Sequence, residues 1–331
     1  MIEWENLEKK AIVSISKGES LRENVTKAID LIGGMSNIVG NGDMVVIKPN
    51  YTVALPPETG LTTDPKILEV IARMAFDAGA REVIVAEGSG SSDLVDVDGL
   101  GDVAWRTGAK IVDINKVPEK DIVNAEIPGP IVLNKIPIPK FIVDCDVFIN
   151  VPKMKMTGMI VTLGLKNLMG VTPGKGRYFE WNGNRPRHPF IPAGGKKIIH
   201  SIRTEKGTQD GLIKALIDLN RLVHSDLTVI DGMWAAEYSG ATHGSPVKMD
   251  TIIAGKNVVA TDAVCSAVMG FDPTKVDIIR MASEYGLGAC DLESIDIKGE
   301  PIKKVYRGFE PSNIRHYEAY LNTPPTEFFK R

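Results

Sequence analysis

Four lysines stand where a buried stretch of chain would not ordinarily hold them. Lys48 and Lys153 each lie where an apolar run breaks at a proline: Val45-Val46-Ile47-Lys48-Pro49-Asn50 in one case, Val147-Phe148-Ile149-Asn150-Val151-Pro152-Lys153 in the other. Lys155 follows two residues on. Lys166 sits beside Asn167 in a run, 158–169, that is apolar almost all round. Burying an ammonium costs several kcal/mol unless something anionic meets it. Lys48, Lys153, Lys155 and Lys166 with Asn50, Asn150 and Asn167 thus read as amines and amides converging on a carboxylate or phosphate. Two plainer readings stand beside this one. Lys48 and Lys153 would be surface lysines at loop starts, and Lys166 would be the structural partner of a buried Glu87 or Asp231. A histidine near such a site would carry protons or ligate a metal: His200, which follows a basic loop, reads as the proton carrier, and His243, in a glycine-bearing loop, as a ligand-binding residue. Asp231 would orient a lysine or histidine. Asp262 reads as a helix N-cap.

The elements that must position these groups alternate. The patterning predicts strands at 11–16, 44–47, 83–86, 111–114, 147–151, 227–230, 249–254 and 293–297. It predicts helices at 19–32, 64–78, 97–107, 158–169, 207–223, 259–269 and 273–285, the last capped by Asp272. Asp64-Pro65 is a strong helix start, with an N-cap and a proline at the first helical position. Short apolar strands alternating with helices predict an α/β fold: a mostly parallel, doubly wound sheet with helices on both faces. In such sheets ligands sit beyond the carboxyl ends of the strands. Lys48, Asn50, Glu87, Asn150 and Lys153 all fall at such ends. The Pro- and Ile-rich stretch 125–140 predicts an extended edge hairpin. The long basic loop 171–203, with Lys175, Arg177, Arg185, Arg187, Lys196 and Lys197, is expected to roof the strand ends. The glycines at 88–90 and 170–176 lack the spacing of a phosphate loop or dinucleotide fingerprint and read as ordinary turns.

Val-Val-Ile-Lys-Pro-Asn (45–50), Thr-Asp-Pro-Lys-Ile-Leu (63–68), Leu-Lys-Asn-Leu-Met-Gly (165–170), Asp-Leu-Thr-Val-Ile-Asp (226–231) and Ala-Thr-Asp-Ala-Val (260–264) occur in that order. As an ordered set they resemble domain-of-unknown-function family 362, over about 11–288. The resemblance places a Lys-Asn motif on Lys166 and Asn167 and a histidine at a position like His200. It implies a Gly-Pro pair where this chain has Ser-Gly-Ala-Thr-His243-Gly-Ser-Pro, a departure that leaves the role of that loop open. Many members of the family carry an appended ferredoxin-like segment with clustered cysteines, which this chain lacks. The domain reading is a single family domain over 11–288, or lobes at 11–143 and 144–298, with an extension at 299–331.

Composition bounds the rest. The chain has 331 residues, is 43% hydrophobic and carries a net charge of −3, so no basic field argues for nucleic acid. Cys145, Cys265 and Cys290 are sparse, odd in number and free of Cys-x-x-Cys spacing. That argues against a zinc ribbon or an iron–sulfur cluster and for a reducing compartment. No His-Glu-x-x-His or comparable metal spacing occurs. The acidic start, Met-Ile-Glu-Trp-Glu-Asn, predicts no signal peptide, and no apolar run reaches the ~20 residues of a membrane span. A cytoplasmic location is expected. Gln209 is the sole glutamine, a scarcity expected of a thermophile.

The expected function is an enzyme acting on a small anionic metabolite. Lys48, Lys153 and Lys155, with Glu87 and His243, would bind it, and Asn50, Asn150 and Asn167 would orient it. Lys166, His200 and Asp231 would carry the chemistry, in the manner of a racemase, epimerase or isomerase. A non-catalytic carrier of an anionic cofactor is the first alternative, and a protein associated with electron transfer the second. The partner expected is the small anion, with a homodimer through the apolar face of 125–138.

Overall fold

The computed structural model describes residues 10–88, 94, 97–157, 160–173, 199, 202, 204–238 and 244–310. The chain opens with β1 (Ala11–Lys17) and α1 (Leu21–Asp30), whose N-cap Ser20 accepts from the Glu23 N–H. β2 (Met44–Lys48) follows, then α2 (Pro65–Asp77), capped as expected by Asp64. β3 (Glu82–Glu87), α3 (Leu100–Thr107) and β4 (Lys110–Asp113) complete this winding. Next come β5 (Ile122–Glu126), β6 (Lys135–Pro139), the short α4 (Lys140–Val143) and β7 (Val147–Asn150). The chain then runs through β8 (Lys153–Thr157), β9 (Ile160–Thr162), α5 (Gly164–Asn167) and α6 (Thr208–Leu222). It closes with β10 (Leu227–Glu237), β11 (Ser245–Gly255), α7 (Val258–Val268), α8 (Asp277–Glu284) and β12 (Ile295–Gly299).

The main sheet has the order β12-β1-β11-β10-β7-β2-β3-β4, with β8 and β9 added beside β10. Neighbours from β10 to β4 are parallel, while β11 runs antiparallel to β10 and β1. The fold is the expected α/β class. Successive residues of one strand serve opposite faces. Val45 and Ile47 pack with Val83 and Val85 against α1, α2 and α3. Val46, Ile84 and Phe148 belong to a second cluster that also holds apolar residues of β6, α6, α7 and α8. Two cores thus lie on the two sides of one sheet.

Several expectations change. The helix expected over 158–169 is largely absent: Ile160–Thr162 is a strand paired with Lys155–Thr157, and helix begins only at Gly164. A short apolar run does not distinguish strand from buried helix, and Ile-Val-Thr is β-branched. Lys153-Met-Lys-Met-Thr alternates with period two and is the matching strand. The 227–230 strand runs on to Glu237, so Asp231 lies within it. Asp272 caps only a turn through the Thr274 N–H, and α8 starts at Asp277. Asn257, not Asp262, is the N-cap of α7. The hairpin at 122–139 forms its own two-stranded sheet, off the edge of the main one, with Ile136 and Ile138 buried inside the chain.

Candidate functional site

The winding from β2 through β3 to β4 proceeds to one side, and β7 returns on the other side of β2. Between β2 and β7 the strand order reverses, the place in open α/β sheets where ligands bind beyond the strand ends. Their register sets Lys48 opposite Asn150 at this point. Pro49 and Pro152 end the two ladders there, since neither has an N–H to give.

Lys48 is 1% exposed, so it is no surface lysine. Its ammonium donates to Glu87 Oε2 (2.7 Å), Pro49 O (2.6 Å) and Asn167 Oδ1 (3.3 Å). Burial lowers its pKa, and Glu87 opposes that shift. Glu87 Oε2 also accepts the Tyr51 N–H at 3.0 Å. Gly170 presses on this pair from above. A Cβ there would sit 2.1 Å from Glu87 Oε1 and 2.6 Å from Lys48 Cε. Gly88 donates its N–H to Gly170 O at 2.9 Å.

Lys153 is also 1% exposed and donates to Asp231 Oδ2 at 2.8 Å. The same carboxylate accepts the N–H groups of Asp64 (2.9 Å) and Met233 (3.1 Å). The two carboxylates that the sequence offered to Lys166 therefore meet Lys48 and Lys153 instead. Lys166 is half-buried on α5, with Nζ 3.2 Å from Met169 Sδ.

Lys155 differs from both paired lysines. It is 1% exposed, and its ammonium donates to the Leu61 carbonyl at 3.0 Å. Burial, then the positive charges of Lys166 and Lys153, push its pKa down to about 7, with Glu87 opposing. A buried amine of this kind is half neutral near physiological pH.

The asparagines join these groups in series. Asn150 donates to Gly164 O at 3.0 Å, Asn167 donates to Asn150 Oδ1 at 2.8 Å, and Asn50 donates to Asn167 Oδ1 at 2.9 Å. Asp262 accepts the N–H groups of Gly164 (2.8 Å) and Leu165 (2.9 Å). It thereby caps α5 from another helix. Burial raises its pKa to about 7 against those two hydrogen bonds. Tyr51 is fully buried, and its hydroxyl has no hydrogen-bond partner among the described residues. Burial, then the charges of Asp64, Asp231 and Glu87, raise its pKa well above that of an ordinary phenol.

Lys48, Asn50, Glu87, Asn150, Lys153, Lys155, Asn167 and Asp231 thus come together, with Lys166 beside them. His200, His243 and the basic loop over 174–198 lie outside the described residues, and His224 is exposed. Tyr51, Gly170 and the capping of α5, rather than of its own helix, by Asp262 were not read from the sequence. Tyr51 adjoins the Lys-Pro-Asn break and was within reach of the same argument. Asp262 carried no local signal, because its partners are about a hundred residues away in the chain. Among the described residues no group of three or more His, Cys, Asp or Glu is placed to hold a metal ion. No helix among them is long and apolar enough to cross a membrane.

Residues 45–267 match the sequence model of a family described as Domain of unknown function (DUF362). The Thylakoid-associated protein sll1697 of Synechocystis sp. is 25% identical over 286 residues, which cover 83% of this chain and 78% of that protein. A solved structure, the lactate racemase apoprotein from Thermoanaerobacterium thermosaccharolyticum, aligns with 79% of this chain at 15% identity and a TM-score of 0.40. The chain spans 57% of that structure.

Proposed function

The chain belongs to the DUF362 family, and from that premise we propose that it is an enzyme acting on a small anionic metabolite, a carboxylate or phosphate, beyond the carboxyl ends of β2 and β7. Lys155 carries the reading. It is a buried amine with no carboxylate bonded to it among the described residues and a pKa of about 7, suited to taking a proton near neutrality. Lys48 and Lys153, each fixed by a carboxylate, frame the site, and Lys166 supplies a further cation for the anion. Abstraction of a proton next to a carboxylate suits this arrangement, in a racemase, epimerase or isomerase type of reaction. His200 returns the proton in this scheme, and Asp231 orients Lys153. A cytoplasmic location fits the reading.

The test has two parts. NMR titration with inorganic phosphate and with acetate reads anion binding, and Lys166→Met should weaken it by about tenfold, the loss of one charge-assisted hydrogen bond. Incubation of small carboxylates in D2O reads exchange of the carbon-bound hydrogen, which Lys155→Met should abolish. Absence of anion binding sinks the reading. Binding without exchange identifies a carrier instead.

A further inference from the structure

The three asparagines form a directed chain, and its direction is fixed from one end. Gly164 O is a carbonyl and only accepts, so the Asn150 atom facing it at 3.0 Å is the amide nitrogen. Asn150 then turns its oxygen to Asn167, which must answer with nitrogen. Asn167 turns its oxygen to Asn50, which must also answer with nitrogen. What remains is Asn50 Oδ1, a buried acceptor with no hydrogen-bond partner among the described residues. Asn50 as a whole is 8% exposed.

The far end of the chain is a carboxyl group. Asp262 Oδ2 accepts the Leu165 N–H at 2.9 Å, and that N–H shares its peptide group with Gly164 O. Four amide groups therefore lie head to tail between Asp262 and the open oxygen of Asn50. Amides hydrogen-bonded in series polarise one another and strengthen the acceptor at the open end, the more so once Asp262 is ionised above about pH 7. An unmatched acceptor of this kind, buried, is costly unless something fills it. The Tyr51 hydroxyl, on the next residue, is a second buried atom with no hydrogen-bond partner among the described residues. The two orphans fall on consecutive residues, one an acceptor and the other able to donate.

We infer that the ligand of this site is a small carboxylate that also carries a hydrogen-bond donor, a hydroxyl or an amino group, and that Asn50 Oδ1 receives it. Lys166, the cation assigned to the anion above, takes the carboxylate. Asn50 then acts as the specificity-determining residue, because an analogue without the donor leaves the polarised oxygen unpaired. The inference rests on the anion-site reading above and narrows it.

The probes are acetate, glycolate and glycine, titrated by NMR into the full chain alongside inorganic phosphate. Glycolate or glycine should bind at least about tenfold tighter than acetate in the unaltered protein, the cost of one unpaired buried acceptor. In Asn50→Ala that ratio should collapse to about threefold or less. Equal affinity for the three carboxylates in the unaltered protein overturns the inference and leaves the anion site standing. So does a preference that survives in Asn50→Ala. Binding of phosphate with none of the carboxylates does the same. Binding of none of the four removes both readings.

Discussion

Lys153 Nζ and Asp231 Oδ2 meet at 2.8 Å with neither side chain exposed to solvent. The pair joins β8 to the middle of β10, and Asp231 goes on to hold the first residues of the Asp64 turn. Removing one partner leaves the other charge buried. Asp231→Ala should therefore cost about 3–5 kcal/mol, read by urea denaturation. Asp296→Ala breaks an ion pair of the same 2.8 Å length whose side chains are 45% and 41% exposed. It should cost about 1 kcal/mol or less. Similar losses in the two variants would contradict the account.

Lys155 should titrate with a midpoint of about 7, followed through its 13Cε resonance. Below that pH it is cationic, and above it the amine is neutral. The nearby charge of Lys166 is one cause of the depression, so Lys166→Met should move the midpoint upward. A midpoint near that of an exposed lysine, about 10.4, would remove Lys155 from the chemistry.

Gly170→Ala puts a methyl group into the Lys48–Glu87 pair. Overpacking of this kind costs about 1–3 kcal/mol or more, and the variant should melt well below the unaltered chain. Gly101 lies inside α3, and a Cβ there meets nothing within 4 Å. Gly101→Ala should therefore stabilise by roughly 0.5–1 kcal/mol. Paired thermal melts of the two variants check both signs.

The break at Lys-Pro-Asn and its partner at Asn-Val-Pro-Lys were legible because proline stops a ladder whatever surrounds it. The winding of β2, α2 and β3 was legible for a similar reason, since each carries its own caps and periodicity. The hairpin of β8 and β9 was not. Its apolar residues serve helix and strand equally, and the choice is made by pairing with β10. The difference between Lys155 and its neighbours was likewise hidden. It depends on which lysines Glu87 and Asp231 bond, and partner choice is set across the folded sheet.

Asp262 holds its proton to about pH 7 in the folded chain, while an unfolded aspartate loses it at about 3.9. Between those values the folded state binds the extra proton. This group's contribution to stability is thus complete below the unfolded value and is lost as pH rises through about 7. Asp262→Asn has no such proton. The advantage of the unaltered chain over that variant should be larger at about pH 5 than at about pH 8, by urea denaturation at each. A constant difference would argue that Asp262 is ionised throughout.

The two cores on opposite faces of β2 have a consequence for chain length. Val45 and Ile47 belong to one face, Val46 to the other, and Lys48 reaches Glu87 and Asn167 in the same alternation. A single-residue deletion inside this strand would exchange the odd and even positions, turning each hydrophobic side chain toward the wrong core and the lysine away from its partners. The strand therefore has a parity as well as a sequence. Among descendants of this chain, insertions and deletions should accumulate in the connecting turns and spare the count of residues between Met44 and Asn50.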